Sequence, residues 1–145
     1  MQAFKPDCTI YVALHARGKP AKFSFAVWMV DAKSRPLFSA AKFVGMGQRV
    51  HAELTALQLG LEQARRLRQE KIELRLGPGI SADYFRENRN PPREADLKIL
   101  LLQVQTVFNE FRLRRYMQVP LEQMPEANAL AEKANKGLRS PGDLL

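Results

Sequence analysis

The alternation of apolar and polar residues predicts strands in the first third of the chain. Three runs rich in β-forming residues, 9–14, 22–30 and 37–44, are separated by a turn at 17–20 and a polar connection at 31–36. Short turns between consecutive strands favour antiparallel pairing. The pattern therefore predicts an antiparallel meander of three strands.

A helical period follows the meander. Apolar residues recur at steps of three and four between charged positions: Leu54, Leu57, Leu61, Ala64 and Leu67. This spacing is typical of an amphipathic helix with one buried side. We expect the helix to begin near Gln48, and the alternating segment 71–76 after it predicts a fourth strand. Glu53 lies near the predicted helix start, where a carboxylate favours the helix macrodipole, so a helix-start role is one explanation for it.

The second half of the chain is mainly helical in pattern. It predicts a short helix over 80–87, a loop over 88–93, a helix over 94–111, a strand over 112–119 and a last helix over 126–136.

The resulting element order is β-β-β-α-β-α-α-β-α. It predicts an α/β fold with a five-stranded mixed sheet flanked by helices, in which three antiparallel strands come first and crossover strands follow. Residues 1–137 are expected to form a single domain, and 138–145 a flexible C-terminal tail.

Composition narrows the classes of function. The 145 residues suffice for one core, and 23 Lys and Arg against 15 Asp and Glu give a net charge of +8. Such an excess attracts polyanions, nucleic acid above all, although it is also compatible with a merely solvated surface.

Cysteine and histidine are scarce. The single Cys8 excludes an internal disulfide and is expected to be a small buried residue at a strand start. His15 and His51 are the two histidines in the chain, and together with one cysteine they form no recognisable set of zinc ligands. Without a long apolar run or a signal-peptide pattern, we expect a cytoplasmic protein and no membrane partner.

Four landmark segments lie in one order along the chain: Arg17-Gly18-Lys19-Pro20, Gln48-Arg49-Val50-His51-Ala52-Glu53-Leu54, Leu76-Gly77-Pro78-Gly79 and Val119-Pro120-Leu121-Glu122-Gln123-Met124-Pro125-Glu126-Ala127-Asn128. Over roughly residues 8–136 they resemble the ribonuclease H fold, particularly the small ribonuclease H and reverse-transcriptase-like group. In that group the first strand ends in Asp before a Gly-Asn-Pro-like turn, the first helix opens with a polar run ending in a catalytic Glu, and the fourth strand runs into Asp-Ser. The fourth segment is similar to the group's Val-Pro-Arg-Glu-x-Asn-x-x-Ala-Asp-like motif.

The resemblance implies a degenerate active site. Active members hold two Mg²⁺ or Mn²⁺ ions on clustered carboxylates, and the matching places in this chain are Ala13, Glu53, Pro78 and Asn128. Alanine and proline side chains have no ligand atoms, so we expect no nuclease chemistry, no metal and no other cofactor. Mg²⁺ or Mn²⁺ enters only if the site is rebuilt.

Three acidic residues lie near the matching places and are candidate substitutes. Asp83 is the plausible one, because Glu126 should face away from Asn128 and Asp7 lies at the far end of the first strand. His15 and His51 border the same end of the predicted sheet, and a His–Glu pair suits acid–base chemistry. Without a visible third group, surface histidines are the preferred interpretation.

A basic groove that binds RNA or an RNA–DNA hybrid is the function that the resemblance and the charge favour together. The candidate contacts are Arg17, Lys19, Gln48, Arg49, His51, Arg86, Arg89 and Arg93. Two further basic groups are present, at Arg65, Arg66 and Arg68 and at Arg112, Arg114 and Arg115. Two alternatives stay open: a scaffold for protein interaction or self-association, such as a homodimer through the helix Leu97–Phe111, and an active metal-dependent nuclease with a rebuilt site.

Overall fold

The computed structural model describes residues 4–47, 49–86 and 92–136. The elements within these ranges are β1 Cys8–Arg17, β2 Lys22–Asp31, β3 Pro36–Met46, α1 Arg49–Arg66, β4 Lys71–Leu76, a 3₁₀ turn Ala82–Phe85, α2 Ala95–Glu110, β5 Leu113–Gln118, a 3₁₀ turn Leu121–Gln123 and α3 Pro125–Asn135. The predicted tail 138–145 lies outside the described residues, as does most of the predicted loop 88–93.

The strands form one mixed sheet in the order β3-β2-β1-β4-β5. β1 pairs antiparallel with β2, and β2 pairs antiparallel with β3. β4 lies parallel to both β1 and β5, and these parallel pairs need the crossovers that α1 and α2 provide. The prediction of an antiparallel meander followed by crossover strands is confirmed.

Several predicted boundaries were wrong. β1 runs on to Arg17, which pairs with Lys22, so the turn lies at 18–21 rather than at 17–20. α1 ends at Arg66 and leaves Leu67 41% exposed, although the helical period places Leu67 on the buried side. The predicted helix over 80–87 is only a 3₁₀ turn, begun by Ser81, whose Oγ accepts the Asp83 N–H at 3.1 Å.

One face of the sheet, called the α1/α2 face, is covered by α1 and α2. Its core is built from large side chains of both layers: Ile10, Val12, Phe25, Val27, Leu54, Leu57, Leu61, Ile72, Leu74, Val104 and Phe108. α1 approaches the sheet closely at Gly60, where a Cβ would lie 2.9 Å from Ile10 Cγ2 and 3.3 Å from Val27 Cγ1. Only glycine fits this distance without displacing the strand side chains.

The two helices on this face run side by side in the same direction. Gln58 donates to Gln103 at 2.9 Å, and seven residues further along both helices Arg65 donates to Glu110 at 3.4 Å. The first turns of α1 and α2 therefore lie at the same end of the molecule.

Cys8 is buried in the α1/α2 face, as predicted for a small residue at a strand start. Burial raises the pKa of its thiol to about 12, and the charge of Asp7 adds to the shift. The thiol is therefore protonated and unreactive at neutral pH.

The opposite face, called the α3 face, is covered in part by α3. Its buried side chains are mostly small: Ala13, Ala26, Ala41, Val119, Met124, Ala127, Ala131 and Ala134. Ser24 Oγ donates to the Ala131 carbonyl at 2.5 Å, and the Asn135 amide donates to the carbonyls of His15 at 3.2 Å and Lys22 at 2.7 Å. These bonds fix the second half of α3 to β1 and β2. Among the described helices, none is long and apolar enough to cross a membrane.

Candidate functional site

Arg49 joins three segments at one end of the sheet. Its guanidinium donates to the Gly79 carbonyl through Nε at 3.2 Å and Nη2 at 3.0 Å, and lies 6.0 Å from the centroid of the Phe23 ring. Gly79 has a φ of 90°, and a Cβ there would overlap Arg49 Nη2. The backbone conformation favours glycine at 79, and a side chain there would displace the Arg49 guanidinium. The start of α1, the start of β2 and the loop after β4 are held together by this arginine.

Glu53 is buried beside Arg49 but has a structural contact. Its Oε1 accepts the backbone N–H of Ser81 at 2.9 Å, and its Oε2 lies 3.9 Å from Arg49 Nε. The helix-start explanation for Glu53 is wrong, because α1 begins at Arg49 and its first turn contains no acidic residue. The carboxylate instead ties the second turn of α1 to the loop after β4, 28 residues away.

Ala13 and Gly77 meet where the parallel pairing of β1 with β4 ends. Ala13 is fully buried, and the Gly77 N–H donates to the Val12 carbonyl at 2.9 Å. A Cβ on Gly77 would lie 3.6 Å from Ala13 Cα. Pro78, the residue that the sequence match indicates, is exposed. The structure thus brings Gly77 rather than Pro78 against Ala13. Glu73 and Arg75 lie on one face of β4, and the same alternation continues to residue 77. This alternation is visible in the sequence and could have identified Gly77.

Met124 fills the space between these positions. It is almost fully buried, and its Sδ would lie 2.8 Å from a Cβ on Gly77. In the motif that the fourth landmark segment resembles, the place of Met124 belongs to Asn. Asn128 follows one turn later on α3, partly buried, and its N–H donates to the Met124 carbonyl at 3.0 Å. A thioether and alanine methyl groups occupy the region where the family's carboxylates would project.

This arrangement does not fit the two-metal site that the resemblance implies. Ala13 and Gly77 supply no ligand atom, and Glu53 is engaged by Ser81 and Arg49. Mg²⁺ is held in proteins by carboxylate and other oxygen ligands, of which this site offers too few. Over residues 4–47, 49–86 and 92–136, no three His, Cys, Asp or Glu side chains are grouped so that they could hold a metal ion.

Of the three acidic residues near the matching places, two pair with other groups and the third is exposed. Asp83, the candidate replacement, is exposed and pairs with Arg86 at 2.9 Å. Asp7 accepts the N–H groups of Glu70 at 3.2 Å and Lys71 at 3.0 Å, at the far end of β1 from Ala13. Glu126 is exposed in the first turn of α3.

Several of the predicted contacts lie at the end of the sheet that Arg49 organises. Arg17 and Lys19 are exposed where β1 turns into β2, and His51 is exposed in the first turn of α1. Arg86 is also exposed but follows Phe85, which packs on Phe108 of α2 and Tyr116 of β5, so the structure does not bring Arg86 to this group. Arg93 is exposed just before α2, whose first turn lies beside that of α1. Gln48 and Arg89 lie outside the described residues.

The other basic groups lie apart from this end. Arg65 pairs with Glu62 at 2.5 Å and Glu110 at 3.4 Å in the last turns of α1 and α2, with Arg66 and Arg68 nearby in the chain. Arg112 lies 3.7 Å from Glu70 at the start of β5, and Arg114 stacks over the Phe108 ring with a centroid distance of 5.7 Å.

The strand order, with two parallel crossover helices on one face and α3 on the other, defines a ribonuclease H-like fold. Residues 13–134 match the family described as Reverse transcriptase-like, and the chain belongs to that family. The matched range contains Ala13, Glu53 and Asn128, and it contains both Pro78, which the sequence match indicates, and Gly77, which the structure brings against Ala13.

Solved structures agree with this assignment. Ribonuclease H1 from the halophilic archaeon Halobacterium salinarum aligns with a TM-score of 0.74 and 21% identity over 90% of this chain and 98% of its own. LC11-RNase H1, isolated from compost and solved with an RNA/DNA hybrid, aligns with a TM-score of 0.73 and 21% identity over 90% of this chain and 97% of its own. The foamy viral protease-reverse transcriptase, also solved with an RNA/DNA hybrid, aligns with a TM-score of 0.76 and 11% identity over 95% of this chain and 21% of its own. No curated protein sequence matches the chain.

Proposed function

We propose that this ribonuclease H-like domain is a pseudoenzyme that binds an RNA–DNA hybrid or structured RNA without cleaving it. The observation that carries the proposal is the apolar packing of Ala13, Gly77 and Met124 where catalytic carboxylates would project. Hydrolysis by two metals needs several anionic oxygens to hold the ions, activate water and stabilise the leaving oxygen. The hybrids bound by LC11-RNase H1 and the foamy viral enzyme support the choice of ligand.

Binding is assigned to exposed Arg, Lys and His side chains around the start of α1. Arg17 and Lys19 on the first turn, His51 on α1 and Arg93 before α2 present donors at one end of the sheet. Such side chains contact phosphate oxygens and position a duplex without reading its sequence. Arg49 is an exposed contact of the same surface, and its two hydrogen bonds to the Gly79 carbonyl also hold that surface in shape.

The binding test compares two double variants in fluorescence anisotropy with a labelled RNA–DNA hybrid over a salt series. We expect Arg17→Ala/Lys19→Ala to weaken binding about tenfold and to reduce the slope of log affinity against log salt by about 0.9 for each phosphate that is no longer neutralised. The matched control is Arg66→Ala/Lys33→Ala, which removes the same charge from exposed positions at the other end of the sheet. Equal losses of affinity in the two variants would contradict a groove at the start of α1.

The cleavage test uses the same samples with Mg²⁺ or Mn²⁺. We expect RNA, DNA and hybrid substrates to stay intact after long incubation. Metal-dependent cleavage that disappears in both Glu53→Ala and Asp83→Ala would instead establish a rebuilt nuclease site, and the pseudoenzyme proposal would be wrong.

Self-association through α2 has less support than nucleic-acid binding. Leu97, Leu101, Val104 and Phe108 are buried within the domain, which leaves Ile99 and Leu102 as the large apolar side chains exposed on α2. Two side chains cover far less than the roughly 800 Å² per partner of a standard interface. Sedimentation equilibrium tests this alternative, and a stable dimer that disappears in Ile99→Ser/Leu102→Ser would favour it.

A further inference from the structure

Four side chains form a continuous row across the α3 face, called the open row: Trp28, Tyr11, Arg75 and Met117. Tyr11 lies opposite Trp28 on β2 and opposite Arg75 on β4, and Arg75 lies opposite Met117 on β5. Tyr11 is two residues before Ala13, so both point to the α3 face. α3 packs on the neighbouring part of this face, and all four members of the row stay partly exposed.

A buried carboxylate beside the row fixes two arginines. Glu73 is 1% exposed, and it accepts Arg75 Nε at 2.7 Å on one oxygen and Arg115 Nε at 2.7 Å on the other. Arg75 also donates to the Tyr11 hydroxyl at 3.1 Å and lies 5.3 Å from the centroid of the Tyr11 ring, while Arg115 lies 4.7 Å from that of Phe4. One negative charge thus holds two positive ones, and the surface keeps a net positive charge.

We infer that the open row binds single-stranded nucleic acid, with bases stacking on Trp28 and on the Arg75–Tyr11 pair and a phosphate meeting Arg115. Proteins that bind single strands combine aromatic faces with cations that follow the backbone, and guanidinium planes also stack on bases. An exposed row on a four-stranded sheet accommodates two or three bases in another class of RNA-binding domain. Because these contacts do not involve the 2′-hydroxyl, RNA and DNA single strands should bind alike.

This surface is distinct from the groove proposed for duplexes. Tyr11 lies six residues along β1 from Arg17, and the row lies on the sheet face rather than at the start of α1. A duplex keeps the faces of its bases stacked inside, so it cannot use the open row. The inference therefore goes beyond the proposed function and does not rest on it.

The test exploits the fact that Trp28 is the single tryptophan of the chain. We titrate the protein with twelve-residue oligo(U) and oligo(dT) and record Trp28 emission and the anisotropy of labelled oligonucleotide. We expect saturable quenching by both, with affinity that falls as salt rises. Arg115→Ala should weaken binding about fivefold to tenfold, because it removes the cation that meets a phosphate while Arg75 still pairs with Glu73. Arg66→Ala, an exposed arginine on the helix of the opposite face, should change affinity less than twofold.

Three outcomes would overturn the inference. Oligonucleotides that bind without changing Trp28 emission use another surface, and absence of binding at low salt excludes the site outright. Equal quenching by polyglutamate would mean that the surface attracts any polyanion, including an acidic protein segment, rather than bases. A blunt-ended RNA–DNA hybrid serves as the separating probe, because it should bind without quenching. Failure of the single-strand titration therefore leaves the groove proposal intact, and failure of hybrid binding leaves the open row intact.

Discussion

The two faces of the sheet bury their residues in different ways. On the α1/α2 face, large aliphatic and aromatic side chains from two helices form a thick core around residues such as Leu57 and Phe25. On the α3 face, alanines let α3 lie close to β1, β2 and β3, and the four side chains of the open row stay partly exposed. The first arrangement preserves the frame of a ribonuclease H-like domain. The second brings Ala13 and Met124 together beside Gly77, and this packing is the basis of the proposed loss of nuclease activity.

The largest expected effect comes from returning a carboxylate to the α3 face. Ala13→Asp places a charge in a fully buried position among alanines and Met124, and should lower the free energy of unfolding by about 3–5 kcal/mol. Urea denaturation measures this decrease. Ala16→Asp, at an exposed position of the same strand, is the control and should change stability by less than about 0.5 kcal/mol. An Ala13→Asp protein as stable as the parent would mean that the α3 face retains space for the family's carboxylates.

The next effect tests the tight contact on the α1/α2 face. Gly60→Ala adds a Cβ 2.9 Å from Ile10 Cγ2 and should destabilise the domain by about 1–3 kcal/mol, although alanine is favoured over glycine in a helix by about 1 kcal/mol. Thermal unfolding shows whether Gly60→Ala lowers or raises the stability of the domain. Gly47→Ala, where a Cβ meets nothing within 4 Å, is the matched control. Stabilisation in Gly60→Ala would show that α1 can shift away from the sheet.

A smaller effect is expected at Glu53, where two substitutions distinguish the hydrogen bond to Ser81 from the charge of the carboxylate. Glu53→Ala leaves the Ser81 N–H without its acceptor and should lower the free energy of unfolding by about 1–2 kcal/mol. Glu53→Gln keeps an acceptor oxygen and should retain most of that stability. Chemical denaturation of both variants makes the comparison. If glutamine is as damaging as alanine, the pairing with Arg49 carries the interaction instead.

The smallest effect compares the accessibility of the two faces without changing stability. Cys8 is buried and its thiol has a pKa of about 12, so a thiol reagent at about pH 8 should not label the native protein. A cysteine introduced by Ser39→Cys, opposite Trp28 on the α3 face and exposed, should react. Mass spectrometry should find one label per native Ser39→Cys chain and two after unfolding. Labelling of native Cys8 would contradict a closed α1/α2 face.

The sequence was sufficient for the order of strands and helices, because period-two and helical patterns along 9–44 and 49–76 record which side of each element is buried. Its description of the site was less complete. Gly77 was missed in favour of Pro78 because the resemblance was aligned by residue order after Leu76 and not by the strand alternation, which continues to residue 77. The partner of Glu53 is Ser81, a contact that no local pattern encodes. The open row was not predicted from the sequence either, because Tyr11, Trp28 and Arg75 become neighbours only through the register of three strands.

The close approach of Met124 to Gly77 couples two positions that are 47 residues apart in the chain. A side chain on residue 77 would begin 2.8 Å from the Met124 thioether, so the methionine has to move to make room for it. The same Cβ would lie 3.2 Å from the Val12 carbonyl, so a smaller residue at 124 relieves only one of the two contacts. Residues in contact have non-additive effects on stability, so substitutions at 77 and 124 should be read as a pair.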